Sequence, residues 1–355
     1  MPKIIMTGGG SAGHVTPNIA LMPTLTDMGF EIEYIGSRDG IEKKLIEAQG
    51  IPYHGISSGK LRRYLSLKNF TDPARILKGM SQAKKILKDL QPDIVFSKGG
   101  YVSVPVVYAA ASLGIPSIIH ESDMTPGLAN RLCFKKAHKI CCNFPETVSL
   151  LPAEKAVLTG SPIRKELFSG TREEGLALCG FKGEKPVLMV IGGSLGAVRI
   201  NQQVRSSLPE ILKTFDVVHI CGKDNISDDH KDLPGYAQFE YLQKDLRHIF
   251  AISDIVISRA GANAICELLA LKKPALLIPL PSSGSRGDQL LNAASFEKQG
   301  FSMVLREEEM DDDSLVNAVN KLYSERQALK DKMESAPGSD SIGIITELIK
   351  DTLSE

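Results

Sequence analysis

No run of apolar residues in this 355-residue chain approaches the roughly 18 needed to cross a bilayer. The opening MPKIIMTGGG goes straight into a strand-like run, without the charged and apolar stretches of a secretion signal. A cytoplasmic chain, not integral to the membrane, is expected. Net charge is absent as well, since 42 Lys and Arg balance 42 Asp and Glu. That balance argues against bulk attraction to a polyanion: no nucleic acid is expected as a partner, and any electrostatic attraction must come from local patches. The six cysteines, Cys133, Cys141, Cys142, Cys179, Cys221 and Cys266, show no CxxC spacing and sit in apolar or strand-like surroundings. Buried free thiols of a reducing compartment fit that pattern better than zinc ligands or disulfides.

What is present suffices for two α/β domains, because 355 residues at 43% hydrophobic content can supply two cores. The same beginning occurs twice. Lys3 to Thr7 is β-rich and runs into GGGSAGH, with a helix expected from about Thr16 and Pro17 in its first turn. Pro186 to Ile191 runs into GGSLGA, with a helix expected from about Val198. Glycines at a strand exit let the chain turn sharply and bring N–H groups close to a ligand. The first loop lacks the Lys-Ser/Thr of a P-loop, and neither loop gives a clean GxGxxG with an acidic residue about 20 positions on, which argues against an NAD-binding oxidoreductase. In the second loop Gly192, Gly193, Ser194 and Gly196 would offer N–H groups and a hydroxyl to a diphosphate at a helix N-terminus. The linker is expected near Thr159, in GSPIRKELF. Arg164, just beyond, is either solvated or reaches a phosphate. The expected division is 1–160, 161–337, and an amphipathic helix within 338–355.

Further strands are expected at Glu31 to Gly36, Tyr53 to Ile56, Asp93 to Ser97 and Ser117 to His120, the last two opening into KGGYVSVP and HESDMTPGLAN. Lys98, Gly99, Gly100, Tyr101, Glu121 and Asp123 would then share a sheet edge with His14. Each has a structural reading, glycines as turns and carboxylates as helix caps, but their convergence favours a binding site. His14, with an ordinary pKa of ~6.5, could take a proton from a hydroxyl near neutral pH and is the expected general base. Between residues 60 and 88, nine basic residues stand against one acidic residue, Asp72, with large apolar residues interleaved. This is either a core-packing helix with a solvated basic face or a surface for anionic lipid. Later, Asp216 to Cys221 and Gln238 to Leu242 read as strands, and EEEMDDD (Glu307 to Asp313) as a solvated loop and helix start.

Residues 254 to 292 form a βαβα unit: a strand from Asp254 to Ser258, a helix from about Ala262 to Leu271, a strand from Pro274 to Pro279, and a helix from near Asp288. Ala262, Ile265, Leu268 and Leu269 share one helix face, and Glu267 projects from the other. Glu267 is either a solvated glutamate or an acceptor for the vicinal hydroxyls of a ribose.

Gly261, Ala262, Asn263, Glu267, Pro279, Gln289 and Asn292 together resemble the donor-site signature of GT-B glycosyltransferases, which place two Rossmann-like parallel-sheet domains across a cleft and use a nucleotide sugar. GGGSAGHVTPNIAL, KGGYVSVP, HESDMTPGLANR, GSPIR, GGSLGA, and SRAGANAICEL with DQLLNA are, in order and spacing, similar to the MurG family of bacterial transferases. That resemblance implies inverting transfer of N-acetylglucosamine from UDP-GlcNAc to the C4 hydroxyl of undecaprenyl-linked lipid I, giving lipid II at the cytoplasmic face of the membrane, and the basic segment 60–88 makes an anionic membrane surface the expected partner. The resemblance also implies site roles. Ser11, Ala12 and Gly13 border the donor sugar and diphosphate, and Arg164 and Ser194 contact the diphosphate. The backbone near Leu242 meets the uracil. Ala262, Asn263, Ala264 and Glu267 cradle the nucleoside, and Gln289 and Asn292 recognise GlcNAc. Lys98, Tyr101 and Glu121 fall to the acceptor, and His14 or Asp123 to proton removal. No DxD-type motif is suitably placed, so no metal or other cofactor is expected. Ser11-Ala12 stands where Thr-Gly is usual, HESD where HEQN is common, and Asp288 where a glutamine is frequent. Asp123 leaves the identity of the base open between itself and His14. Alternatives are a related transferase with another lipid or small-molecule acceptor, a UDP-GlcNAc 2-epimerase, and a two-domain binding protein.

Overall fold

The computed structural model describes residues 1–59, 72–193, 196–282, 287–336 and 340–354. The chain divides into two compact units, Met1–Arg164 with Gly338–Glu355, and Lys165–Pro337. The first holds a seven-stranded sheet and the second a six-stranded one, parallel at every strand pairing.

In the first unit the strands are β1 (Lys3–Thr7), β2 (Glu31–Ser37), β3 (Tyr53–Ile56), β4 (Ile94–Ser97), β5 (Ser117–Glu121), β6 (Lys139–Cys142) and β7 (Ala156–Leu158). Their order is β3-β2-β1-β4-β5-β6-β7. Helices cover both faces, so β1 is apolar at consecutive positions rather than alternating. Ile4 and Met6 pack on one face with Ile345 and Ile349 of the helix Ser341–Ser354. Ile5, between them, packs on the other with Ala83, Leu87 and Val106. The chain leaves β1 in one direction across the sheet and returns through β4 in the other. That reversal opens a crevice above the carboxyl ends of β1 and β4.

Of the basic segment, residues 60–71 lie outside the described residues. In the helix Asp72–Leu90, Gly79, Ala83 and Leu87 form the inner stripe, and a Cβ on Gly79 would stand 2.1 Å from the Ser57 carbonyl oxygen. Arg75, Lys78, Lys85 and Lys88 are exposed on the outside with Leu77, which is 66% exposed. No described helix is long and apolar enough to cross a membrane.

The second unit runs β8 (Val187–Ile191), β9 (Asp216–Ile220), β10 (Tyr236–Phe239), β11 (Ile255–Ser258), β12 (Ala275–Leu277) and β13 (Ser302–Val304), in the order β10-β9-β8-β11-β12-β13. The reversal now falls between β8 and β11. Two expectations need correction. The strand expected at Gln238 to Leu242 is β10, because buried Tyr236 pairs with Val217 while Tyr241 is out in solvent at the sheet's edge. The acidic run is not wholly solvated. A short turn, Glu307–Glu309, points Glu307 inward, where it meets Arg259 Nη2 at 2.5 Å. Asp311 caps the helix Asp312–Glu334 in a reciprocal box with Ser314.

The terminal helix contributes to the core of the first unit through its apolar stripe. Ile345→Ala, at a fully buried position, is expected to cost about 2–5 kcal/mol through lost burial and a residual cavity. Urea unfolding of the full chain, followed by a probe in the first unit, measures it.

Candidate active site

Three strand exits in the first unit build one edge. After β1 the chain passes Gly8, Gly9 and Gly10 into a single 3₁₀ turn, Ala12–His14. The loop is held from beneath by groups the sequence reading did not single out. Tyr34 donates its hydroxyl to the Gly8 carbonyl at 2.7 Å, and Asn18 donates to the Thr7 carbonyl at 3.1 Å. Glu42, fully buried, accepts the Gly10 N–H at 3.2 Å and the Ser37 N–H at 3.0 Å. The Gly9 N–H reaches across to the Gly99 carbonyl, after β4, at 3.3 Å. This approach requires Gly100, whose φ is +87° and whose added Cβ would lie 2.2 Å from the Gly9 oxygen.

His14 is half-buried on this loop, beside exposed Ser11 and Ala12 and half-buried Gly13. Its Nδ1 lies 3.1 Å from the Gly9 carbonyl and 3.1 Å from Ser11 Oγ. A carbonyl only accepts, so the neutral ring carries its proton on Nδ1 and its lone pair on Nε2.

Beyond β4, Tyr101 is 37% exposed, and Ser103 ties the helix Ser103–Ser112 back to the Gly99 carbonyl at 2.7 Å. Beyond β5, Asp123 is half-buried. Its loop is organised by Glu121, which accepts the N–H groups of Ser122, Asp123 and Gly127 at 2.9, 3.1 and 2.9 Å and the Asn130 amide at 2.9 Å. Burial raises the Glu121 pKa, and those hydrogen bonds work against the rise. Lys98 lies 1% exposed, with Nζ 2.5 Å from His120 Nδ1 and 2.6 Å from Ser122 Oγ. Lys98 and Glu121, expected at the acceptor, are buried internal supports of this edge. Each charged group has turned inward to satisfy its own loops, which no spacing reveals.

In the second unit, Gly192 and Gly193 follow β8, and Ser194 lies outside the described residues. Gly196 has φ +77°, and its Cβ would meet the Cys221 carbonyl oxygen at 2.1 Å. After β11 the helix Ala262–Ala270 starts from an extended Gly261. Ala262, Ile265 and Leu268 face the core, whereas Asn263, Ala264 and Glu267 are half-buried. Gln289 Oε1 accepts the Leu280 N–H at 3.0 Å. Asn292 is fully buried and donates to the Ala260 carbonyl at 3.3 Å, so it fixes the entry to that helix rather than standing at the surface. Leu242, beyond β10, and Arg164, at the end of the first unit's long segment, are half-buried. Among the described residues no cluster of His, Cys, Asp or Glu could hold a metal ion.

Residues 4–142 match the glycosyltransferase family 28 N-terminal domain, and residues 187–348 match its C-terminal domain. A Lachnospira eligens protein named UDP-N-acetylglucosamine–N-acetylmuramyl-(pentapeptide) pyrophosphoryl-undecaprenol N-acetylglucosamine transferase is 63% identical over 99% of both chains. A Clostridium botulinum protein of the same name is 58% identical over 99% of both. Among solved structures, Acinetobacter baumannii MurG superposes with a TM-score of 0.79 at 24% identity, covering 99% of this chain and 100% of that one. A putative UDP-N-acetylglucosamine 2-epimerase from Listeria monocytogenes gives 0.69 at 14% identity, covering 98% and 95%, a likeness of fold alone.

Under the second glycine loop, Asn201 donates to the Cys221 carbonyl at 2.8 Å, so its oxygen accepts from His219 Nε2 at 3.0 Å, and His219 Nδ1 takes the Tyr236 hydroxyl at 2.7 Å. The ring is fully used as a neutral group. Burial, then the nearby Arg205 charge, lower its pKa to about 3. The unfolded chain, titrating near ~6.5, therefore binds the extra proton between those values, and stability rises with pH until about 7. At pH 5 the deficit from this one ring is ~2 kcal/mol. His219→Gln is expected to flatten the slope of unfolding free energy against pH by about one proton over pH 4–6, as read by denaturant titrations.

Proposed function

Because the chain belongs to glycosyltransferase family 28, we infer that it performs the reaction for which its curated relatives are named, moving N-acetylglucosamine from UDP-GlcNAc to undecaprenyl-linked lipid I to make lipid II. The observation that carries this is 63% identity over 99% of both chains. The putative epimerase of similar fold matches at 14% identity and supports only the architecture.

The reaction we propose is one in-line displacement. The C4 hydroxyl of the muramoyl sugar attacks the anomeric carbon of the α-linked donor, the bond to the diphosphate oxygen breaks, and the product is β-linked. The departing proton goes to His14 Nε2, the ring nitrogen that is unprotonated when Nδ1 donates to the Gly9 carbonyl, or to Asp123. Tyr101 is assigned to the acceptor. Ser11, Ala12 and Gly13 are assigned to the donor sugar and diphosphate. Charge growing on the leaving diphosphate is assigned to Arg164, Ser194 and the N–H groups of the second glycine loop, a metal-independent arrangement. Asn263, Ala264 and Glu267 take the nucleoside, Leu242 the uracil, and Gln289 with Asn292 set the loops against the GlcNAc.

The exposed basic and apolar residues on the outer face of the helix Asp72–Leu90 support a peripheral position on the cytoplasmic face of the membrane, while the balance of 42 basic and 42 acidic residues argues against a nucleic acid partner. Cationic side chains at an anionic bilayer contribute about 1 kcal/mol each. Reversing Lys78, Lys85 and Lys88 is expected to weaken co-sedimentation with phosphatidylglycerol vesicles at least tenfold, while unchanged sedimentation would remove the surface from consideration.

The reaction itself is tested by UDP release from UDP-GlcNAc, with and without a lipid I analogue, in detergent without added metal. Acceptor-dependent release is expected. Glu267→Ala should raise KM for UDP-GlcNAc by roughly 10–100-fold, as loss of hydrogen bonds to a carboxylate does. His14→Ala should lower kcat by about 10²–10⁴. Retained donor binding without acceptor-dependent release would move the function to another acceptor or to epimerisation.

A further inference from the structure

Among the described residues Lys98 is the one lysine in the set of largest fully buried side chains, and its position just past β4 is where the site edge begins. Desolvating an ammonium is unfavourable, and a methionine of similar length would fill the same volume without that penalty, so packing alone does not account for it. What Lys98 does is visible in its partners. Nζ donates to His120 Nδ1 at 2.5 Å and to Ser122 Oγ at 2.6 Å. His120, itself fully buried at the end of β5, has Nε2 2.9 Å from the Gly160 carbonyl. That carbonyl only accepts, so the ring proton is on Nε2 and the lone pair on Nδ1 must be met by a donor, which is Lys98. Burial and the Lys98 charge both lower the His120 pKa well below its ordinary value, in keeping with a neutral ring.

We propose that Lys98 is a positioning residue for the transfer: through His120 and Ser122 it fixes the exit of β4, the Asp123 loop beyond β5, and the Gly160 segment that leads to Arg164 as one unit. The three strand exits are separated in sequence, and β5 and β7 do not pair with each other because β6 lies between them. The chain Lys98–His120–Gly160 adds side-chain ties across these ends to the backbone bonds from Thr159 and Gly160 to the Cys142 carbonyl. Asn143 adds to it by donating to the Ser122 carbonyl at 2.9 Å, and Asn130 by donating to the His120 carbonyl at 3.1 Å. Lys98 thus acts on the reaction through groups above it, and its loss should change the alignment of reacting groups more than donor affinity. The inference rests on the transfer proposed above.

The test combines kinetics with ring-¹⁵N spectra of histidine, the His120 signals being assigned by their loss in His120→Gln. In the wild type His120 is expected as a single Nε2–H tautomer; an Nδ1–H ring would overturn the network. Lys98→Met is expected to lower kcat about tenfold or more with KM for UDP-GlcNAc within about twofold, and to replace the single tautomer by a mixture. Adding His120→Gln should make that variant no worse, because the two act through one chain of hydrogen bonds. Wild-type kcat in Lys98→Met, an unchanged His120 spectrum, or fully additive losses would each overturn the proposal. If Lys98→Met does not fold, Ser122→Ala removes one of the same contacts, and wild-type kcat there would overturn it equally. No turnover by the wild type on the lipid I analogue would instead defeat the functional reading and the role in transfer with it, while the tautomer measurement still decides the network.

Discussion

The Gly9 amide stands 3.3 Å from the Gly99 carbonyl, and the architecture of the first unit's candidate site depends on that approach. Two loops leaving adjacent parallel strands normally diverge, because the chain departs from each toward a different helix. Here they touch, since Gly100 adopts a positive φ and carries no Cβ to strike the Gly9 oxygen. The contact places the His14 turn beside the Tyr101 loop, and Tyr34, Asn18 and Glu42 then hold the first loop from below. The second unit reaches a similar result by the same device, with Gly196 pressed against the Cys221 carbonyl and Asn201 holding that carbonyl in place.

Both sites lie where the strand order reverses, at β1/β4 and at β8/β11. At such a point successive loops turn away to opposite faces and leave backbone N–H groups exposed at the carboxyl edge, which suits an anionic ligand. The price of preorganisation is a set of buried polar groups beneath each edge. Glu42, Glu121, Lys98, His120 and His219 are all buried, and each has protein partners that replace water. Such networks specify one arrangement because an incomplete one is costly.

Much of the fold was legible in the residues. Strand and helix starts such as Lys3, Thr16, Tyr53, Val198 and Asp288 follow from apolar runs ending in glycine or from first-turn signals, and the structure begins elements at those residues. Glycine-rich strand exits also marked the edges where His14, Asn263 and Glu267 stand half-buried. Less was legible about orientation. Lys98 and Glu121 read from the sequence as lining a cleft edge, with a structural role open as well, yet the backbone donors of the loop beyond β5 draw the Glu121 carboxylate inward. Glu307 turns inward for a different reason, an ion pair with Arg259, which is remote in sequence.

The sequence by itself determined the alternation of strands and helices, the two glycine loops and the family, because these rest on local periodicity, on backbone freedom and on blocks of matching residues. Only the tertiary structure decided which polar side chains face inward, that Asn292 supports a helix entry, and that Lys98, His120 and Gly160 form one chain of hydrogen bonds. Those contacts join residues 22 to 40 positions apart that become neighbours only when parallel strands are laid side by side. Strand order is set by how two helical layers cover a sheet, and no single stretch of sequence carries it.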